Sequence, residues 1–321
     1  MNKPRKSDKM NGKIMYDLII IGGGPAGLTA AIYASRARLA TLVLEKGACG
    51  GWMANTELIE NYPGFPEGTK GMMLANKFKE QALRFGATIN EFEEVTSVKA
   101  EGAAISVRTS KKEYRGRSLI VASGSIPKKL GVPGEEELLG KGVSYCATCD
   151  GPLFKGKRIA VIGCGNSGLQ EGEALLQHVS SITFVELLPN MTAEKILQER
   201  LRQHENTEFL LNHKLTSING KDFVKSVTVV DRDTGSEKEI EVEGVFVYIG
   251  FLPNTEFLKG LVDLDRFGYI TSDEDMRTSV AGIFAGGDIR SKKIRQITVT
   301  CGEATVAALS AQVYLSEHST R

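Results

Sequence analysis

Tyr16-Asp17-Leu18-Ile19-Ile20-Ile21-Gly22-Gly23-Gly24-Pro25-Ala26-Gly27 carries a short β-rich run into a glycine turn, and a helical pattern follows through Ala37. A second strand, Thr41 to Leu44, ends at Glu45. Residues 16–45 thus have the form of a βαβ unit with G-x-G-x-x-G at its first turn. In such a turn Gly22 permits the sharp bend, Gly24 lets the backbone approach a pyrophosphate, and Gly27 lets helix and strand pack closely. Pro25 and Ala26 open the helix whose positive end faces the phosphates. Glu45, followed by Lys46, stands where a carboxylate takes ribose hydroxyls.

The same design returns further on. Strand Arg158 to Ile162 runs into Gly163-x-Gly165-x-x-Gly168, a helix follows through Gln177, and strand Ile182 to Val185 ends at Glu186. Gly22, Gly24, Gly27 and Glu45 map onto Gly163, Gly165, Gly168 and Glu186 with one offset of 141 residues. One fingerprint alone is a weak signal, but two in full strand-helix-strand-acid context imply an internal duplication and at least one bound dinucleotide. The fold class is therefore α/β, with two Rossmann-like dinucleotide-binding domains.

Composition agrees with a soluble globular chain of about two domains at 321 residues. The 40 basic and 39 acidic side chains balance to +1, so nothing marks a nucleic-acid surface, and there is no apolar run long enough to cross a bilayer. No nucleic acid and no membrane are expected among its partners. The polar, basic residues 1–15 have no apolar segment of a signal peptide and read as a disordered tail. Five cysteines, an odd and sparse set, point to a reducing, cytoplasmic compartment.

Two of those cysteines form the chemical motif Cys146-Ala147-Thr148-Cys149-Asp150-Gly151. Two intervening residues let the sulfurs close a small ring, and the pair reads as redox-active. Half a zinc site is the competing reading, but Cys49, Cys164 and Cys301 are isolated and supply no second ligand pair, so no metal is expected. These three read as packing cysteines. Asp150 reads either as an acid that shuttles a proton or as a turn residue in Asp-Gly-Pro. His178, His204, His213 and His318 have no catalytic setting.

With these motifs in place, the chain resembles the low-molecular-weight thioredoxin reductases from Tyr16 to about Tyr314. Besides C-A-T-C-D-G, the resemblance rests on Glu60-Asn61-Tyr62-Pro63-Gly64-Phe65, Ala122-Ser123-Gly124-Ser125-x-Pro127, Pro253-Asn254-Thr255, Gly286-Gly287-Asp288 and Arg295-Gln296. It implies an FAD domain made of residues 16–127 and 253–321, and an inserted NAD(P)-binding-like domain, 128–252, that carries the cysteines. The hinges would lie near Pro127 and Gly250 to Pro253. It further implies that Cys146 and Cys149 form the active-site disulfide with Asp150 as acid. FAD would be held by the first glycine motif, Glu45, Lys46, Gly51, Asn61, Gly124, Gly287, Asp288, Arg295 and Gln296. The implied partner is thioredoxin or a similar small redox protein, and the implied assembly a homodimer.

The second unit departs from that pattern. NADPH-using members of the family carry an arginine-rich segment for the 2′-phosphate where this chain has Glu186-Leu187-Leu188-Pro189-Asn190-Met191-Thr192. A phosphate would meet a carboxylate there, so NADPH is disfavoured. The expected donors are ferredoxin, a reduced deazaflavin, or NADH with Glu186 on the ribose. Without a nucleotide donor, Gly163, Gly165, Gly168 and Glu186 would be a structural relic. A dithiol oxidase that passes electrons to oxygen and a redox-sensing flavoprotein without turnover are the rival readings. Trp52, the single tryptophan, reads as a buried apolar anchor or as a cover for the flavin.

Overall fold

The run Leu18 to Ile21 has no polar face, and all four side chains are buried. A strand covered on both sides belongs to a parallel sheet with layers above and below it. The computed structural model describes residues 8–10, 13–56, 58–102 and 104–318. Its contacts divide the chain into Met1–Ala54, Ile59–Ile126 and Leu252–Arg321 as one unit, and Asn55–Leu58 with Pro127–Phe251 as another. The short segment Asn55–Leu58 groups with the second unit, although the sequence reading leaves it in the first.

The first unit opens with β1 (Asp8–Met10), paired antiparallel to the start of β2 (Lys13–Ile21). There follow α1 (Pro25–Arg36), β3 (Thr41–Leu44), α2 (Gly51–Ala54), α3 (Gly71–Phe85), β4 (Thr88–Asn90), β5 (Val95–Glu101), β6 (Ala104–Thr109), β7 (Glu113–Val121) and, at the crossing, β8 (Ser125–Pro127). The second unit runs through β9 (Val143–Ser144), α4 (Ala147–Asp150), β10 (Arg158–Ile162), α5 (Asn166–Leu175), β11 (Ser181–Val185), α6 (Lys195–Arg202) and β12 (Thr207–Leu210). An antiparallel layer of β13 (His213–Gly220), β14 (Val224–Asp231) and β15 (Glu237–Glu241) precedes β16 (Gly244–Val247). The chain returns along β17 (Phe251–Pro253) and completes the first unit with β18 (Ile283–Ala285) and α7 (Ile297–Glu317).

In the first sheet β4, β3, β2, β7 and β18 are mutually parallel, with β6 and β5 antiparallel beyond β7. In the second, β12, β11, β10, β16 and β9 are all parallel. Each sheet therefore has one edge at which all its parallel strands end, the place where open α/β sheets bind ligands.

Alternate residues of β2 serve different layers. Leu18 and Ile20 pack with Ala26, Ala30, Ala31 and Ala34 of α1 and with Ala304, Ala307, Ala308 and Ala311 of α7, whereas Ile19 and Ile21 face Val98, Val107, Leu258 and Ile270. Alanine on both helices lets α1 and α7 pack closely. The second unit repeats the scheme, Ile159 and Val161 facing α5 and Ala160 and Ile162 facing Val227 and Val229 of the antiparallel layer. No helix among the described residues is long and apolar enough to cross a membrane.

One expectation needs correction. Residues 1–15 are not all a disordered tail, because Asp8, Lys9 and Met10 pair with Met15, Ile14 and Lys13. Residues 1–7, 11 and 12 lie outside the described ones. The last helix, α7, runs from Ile297 to Glu317. Its first turn, Ile297-Thr298-Val299-Thr300, is β-branched and costs a few tenths of a kcal/mol per residue in helix propensity. Packing overrides that cost: Thr300 is buried, and its hydroxyl donates to Asp288 Oδ1 at 3.1 Å.

Candidate active site

The first fingerprint turns on two glycines that tolerate no side chain. Gly22 has φ +107°, and a Cβ there would overlap the carbonyl oxygen of Ala122 on the neighbouring strand. At Gly27 a Cβ would overlap the carbonyl oxygen of Gly22 itself. Gly24 differs, since a Cβ would meet only the Cα of Gly51, at 3.8 Å. The N-terminus of α1, with Pro25 at its first turn, is thus bare backbone on an open side. Gly51 (φ +56°) lies across from it, and Gly124 (φ +64°) faces open space. This is the cradle a pyrophosphate needs.

Glu45, at the end of β3, is fixed by its own turn: Oε2 accepts Gly23 N–H at 2.6 Å and Oε1 accepts Gly47 N–H at 2.8 Å. Lys46 beside it is exposed. At the end of β18, Gly287 has φ +85°, its Cβ position lies 2.7 Å from Ala26 Cβ, and its N–H donates to Glu303 Oε2 at 3.0 Å. Asp288 receives Lys292 Nζ at 3.2 Å, and Glu303 holds both Lys292 (2.9 Å) and Arg290 (2.7 Å). Asn61 Nδ2 donates to Gln296 Oε1 at 3.2 Å across 235 residues of sequence. Arg295 lays its guanidinium over the Tyr269 ring, 4.3 Å from the centroid. The glycine motif, Glu45, Gly124 and Gly287-Asp288 therefore follow β2, β3, β7 and β18 at one sheet edge, and this lining fits a dinucleotide.

Trp52 is not a buried anchor. It is 37% exposed, and its indole N–H donates to the Ser125 carbonyl at 2.8 Å.

The second fingerprint copies the first bond for bond. Gly163 also has φ +107°, and a Cβ on Gly168 would again overlap the carbonyl of the first glycine. Glu186 Oε2 accepts Cys164 N–H at 2.6 Å and Oε1 accepts Leu188 N–H at 3.0 Å, the same contacts as at Glu45 shifted by the 141-residue offset. Two differences stand out. Thr192, whose Oγ1 lies 3.5 Å from a Cβ position on Gly165, occupies the place of Gly51. Arg232, from the turn after β14, donates to Leu187 O at 3.0 Å and to Asn212 Oδ1 at 3.1 Å.

Cys146 and Cys149 form a disulfide across the first turn of α4, directly after β9. Cys149 N–H points at Cys146 Sγ, 3.2 Å away. Two hydroxyls hold the preceding amides: Ser144 Oγ accepts Cys146 N–H at 3.0 Å, and Tyr248 Oη accepts Ala147 N–H at 3.0 Å. Ser144 also donates to Asp150 Oδ2 at 2.6 Å. Burial, then the charges of Glu171 and Asp150, hold the Tyr248 hydroxyl protonated far above the usual phenol range. Ser144, Tyr248, Arg232, Lys292 and Glu303 were not legible in the sequence, because each acts through a contact that no short motif encodes.

The remaining cysteines are free thiols. Burial first, and then the Glu91 and Glu45 carboxylates, push the Cys49 thiol up to about 12. Burial and Glu186 do the same at Cys164, also to about 12. A thiol with its pKa raised that far is protonated at all lower pH, leaving roughly 1 in 10⁴ as thiolate at pH 8. Iodoacetamide labelling of the chemically reduced native protein at pH 8 should therefore modify Cys146 and Cys149 at least about 100-fold faster than Cys49 or Cys164. Equal rates at all four sites would contradict this packing. Among the described residues no group of three His, Cys, Asp or Glu side chains is placed to hold a metal ion.

A profile of the pyridine nucleotide-disulphide oxidoreductases matches residues 16–304. Thioredoxin reductase of Bacillus subtilis (strain 168) is 47% identical over 313 residues, 96% of this chain and 97% of that protein. The chain belongs to the thioredoxin reductase family of these oxidoreductases. The thioredoxin reductase of Listeria innocua is 43% identical over 94% of this chain and 95% of its own. Among solved structures of the family, thioredoxin reductase of Lactococcus lactis superposes with a TM-score of 0.92 at 39% identity, covering 94% of this chain and 99% of that one. That of T. acidophilum gives 0.91 at 40% identity, covering 95% and 99%. As a family member the chain is a flavoprotein oxidoreductase built on two dinucleotide-binding domains.

Proposed function

We propose that the protein is an FAD-dependent thioredoxin reductase that draws electrons from a donor other than NADPH, with NADH as the nucleotide its second unit accepts. The carrying observation is Glu186, a buried carboxylate pinned by two backbone amides just as Glu45 is. Such a carboxylate offers its remaining lone pairs to ribose hydroxyls. Against a 2′-phosphate it sets charges of −1 and nearly −2 together, a repulsion of about 2 kcal/mol at about 4 Å even in bulk water, or roughly 30-fold in affinity. Arg232 reaches this loop, where a single nitrogen, Nη1, donates to both Leu187 O and Asn212 Oδ1. Thr192 at the place of Gly51 narrows the approach to Gly165, which favours a second reading: a protein donor such as ferredoxin, or a reduced deazaflavin, with the second fingerprint kept as scaffold.

In the first unit Gly24, Pro25, Ala26 and Gly27 would bind the pyrophosphate of FAD, Glu45 its adenosine ribose, and Asp288, Arg295 and Gln296 the flavin half. Lys292 offsets the charge of Asp288 beside those phosphates. FAD, when bound, supplies a two-electron carrier between the donor and a disulfide. The chain's own part in the second half-reaction is thiol exchange. One thiolate of the Cys146–Cys149 pair attacks the thioredoxin disulfide, the other resolves the mixed disulfide, and two thiols leave on thioredoxin as the Cys146–Cys149 bond re-forms. Asp150 gives a proton to a departing sulfur.

Glu186→Ser tests the donor reading. The variant should shift the NADPH to NADH ratio of kcat/KM for flavin reduction at least about tenfold toward NADPH, and an unchanged ratio would remove Glu186 from nucleotide selection. Failure of both nucleotides on the unmodified protein, with turnover by reduced ferredoxin, would select the second reading.

A further inference from the structure

We infer that Ser144 is a positioning residue that aims the Asp150 carboxylate at the redox-active cysteines, leaving Oδ1 as the oxygen that carries the exchange proton. The inference rests on the reading of Cys146 and Cys149 as an exchange pair. Ser144 is 3% exposed and ends β9, where it lies in register with Phe246 of β16, so the sheet fixes its backbone. A hydroxyl has one proton and two lone pairs. An ionised carboxylate can only accept, so the Ser144 proton goes to Asp150 Oδ2 at 2.6 Å, while a lone pair takes Cys146 N–H at 3.0 Å. The Cys146 carbonyl, at 3.3 Å from the same hydroxyl, is the longer and weaker alternative. Asp150 N–H closes the loop by donating to that carbonyl at 3.2 Å. Carboxylate, strand end and the backbone of Cys146 thus form one hydrogen-bonded ring. Tyr248 contributes differently, since its hydroxyl accepts Ala147 N–H and so holds the backbone at the start of α4.

With Oδ2 occupied, a proton bound for sulfur resides on Oδ1. In the exchange, one cysteine thiolate breaks the external S–S bond and forms a mixed disulfide, and the second breaks that bond and restores the Cys146–Cys149 disulfide. Two electrons leave the pair as two external thiols. The protons lost by the two cysteines end on the two leaving sulfurs, and Asp150 Oδ1 carries one of them across.

An alkyl thiolate needs that proton as it departs, whereas an aromatic thiolate of low pKa leaves without it. Dithiothreitol-reduced, desalted protein is therefore mixed with bis(2-hydroxyethyl) disulfide or with dithiobis(nitrobenzoate), and the loss of protein thiols is timed. Ser144→Ala should slow the alkyl reaction about tenfold and the aromatic one less than twofold. In an Asp150→Asn background Ser144→Ala should add less than a twofold further loss, because the two residues act as one. Ser144→Thr and Ser144→Val, equal in shape, should reproduce the contrast, Thr staying within about threefold of the unmodified protein. Equal slowing toward both disulfides, or a full tenfold loss in the Asp150→Asn background, would reduce Ser144 to a scaffold residue and overturn the proposal. Reduction of both small disulfides without reduction of thioredoxin would count against the thioredoxin reading and leave the Ser144 comparison intact. Release of two external thiols per protein by Cys149→Ser, which can form the mixed disulfide but cannot resolve it, would overturn the exchange-pair reading and this proposal with it.

Discussion

Cys149→Ser is expected to lower thioredoxin reduction at least about 1,000-fold while leaving FAD bound and reducible by the donor. The remaining Cys146 thiolate can attack a disulfide once, but it has no neighbour to resolve the mixed disulfide, so exchange stops after a single event. The structure gives the reason no other cysteine substitutes. Cys164 is fully buried and Cys49 nearly so, and the thiols of both are held protonated. Cys301, also raised by burial, packs in the cluster beneath α2 and α3 with Leu28 and Phe78. Retention of more than a few per cent of turnover in Cys149→Ser would mean that electrons reach thioredoxin by another route.

The second large effect is expected at the first fingerprint. Gly22→Val should yield protein with less than about a tenth of the normal flavin content and a melting temperature lower by roughly 10 °C. A β-branched residue cannot adopt φ +107° without strain, and its Cβ would overlap the carbonyl oxygen of Ala122 between β2 and β7. Relief requires moving the turn off the sheet, which removes the amides at the start of α1 from the pyrophosphate. Gly235→Ala is the control, because Gly235 also has positive φ (+71°) but no atom within 4 Å of its Cβ position. It should cost about 1 kcal/mol and retain full flavin. Flavin content measured from the absorbance near 450 nm separates the two, and a Gly22→Val protein that kept its flavin would contradict the cradle.

The parts of this molecule that can be read from sequence are those encoded locally. Both fingerprints, their strands and their terminal acids lie within stretches of about 30 residues, and the equal spacing of Gly22 to Glu45 and Gly163 to Glu186 exposes the duplication before any contact is known. The start of α7 was not legible, since Ile297-Thr298-Val299-Thr300 has the composition of a strand and becomes helix through contacts with Asp288 and Gly287. Nor was β1, whose partner is set by register rather than by an apolar pattern.

The candidate site divides the same way. Cys146, Cys149 and Asp150 announce themselves by spacing, but the hydroxyls of Ser144 and Tyr248 that hold them come from the ends of two neighbouring strands, β9 and β16. Asn61 meets Gln296 only because the chain leaves the first unit and returns to it. Trp52 leaves two readings open in the sequence, a buried anchor or a flavin cover, and its half-exposed indole, whose N–H reaches the Ser125 carbonyl, removes the first. Arg232 comes to the Glu186 loop from a turn 45 residues beyond Leu187.

The most direct measurement is anaerobic: the FAD-loaded protein is mixed with NADH, NADPH or reduced ferredoxin in turn, flavin bleaching is timed, thioredoxin is added, and the thiols formed are counted. The expected result is rapid bleaching by NADH or by ferredoxin, at least about 30-fold slower bleaching by NADPH at equal concentration, and two thioredoxin thiols per two electrons over many turnovers. Fast bleaching by NADPH, or a bleached flavin that yields no thioredoxin thiols, would contradict it.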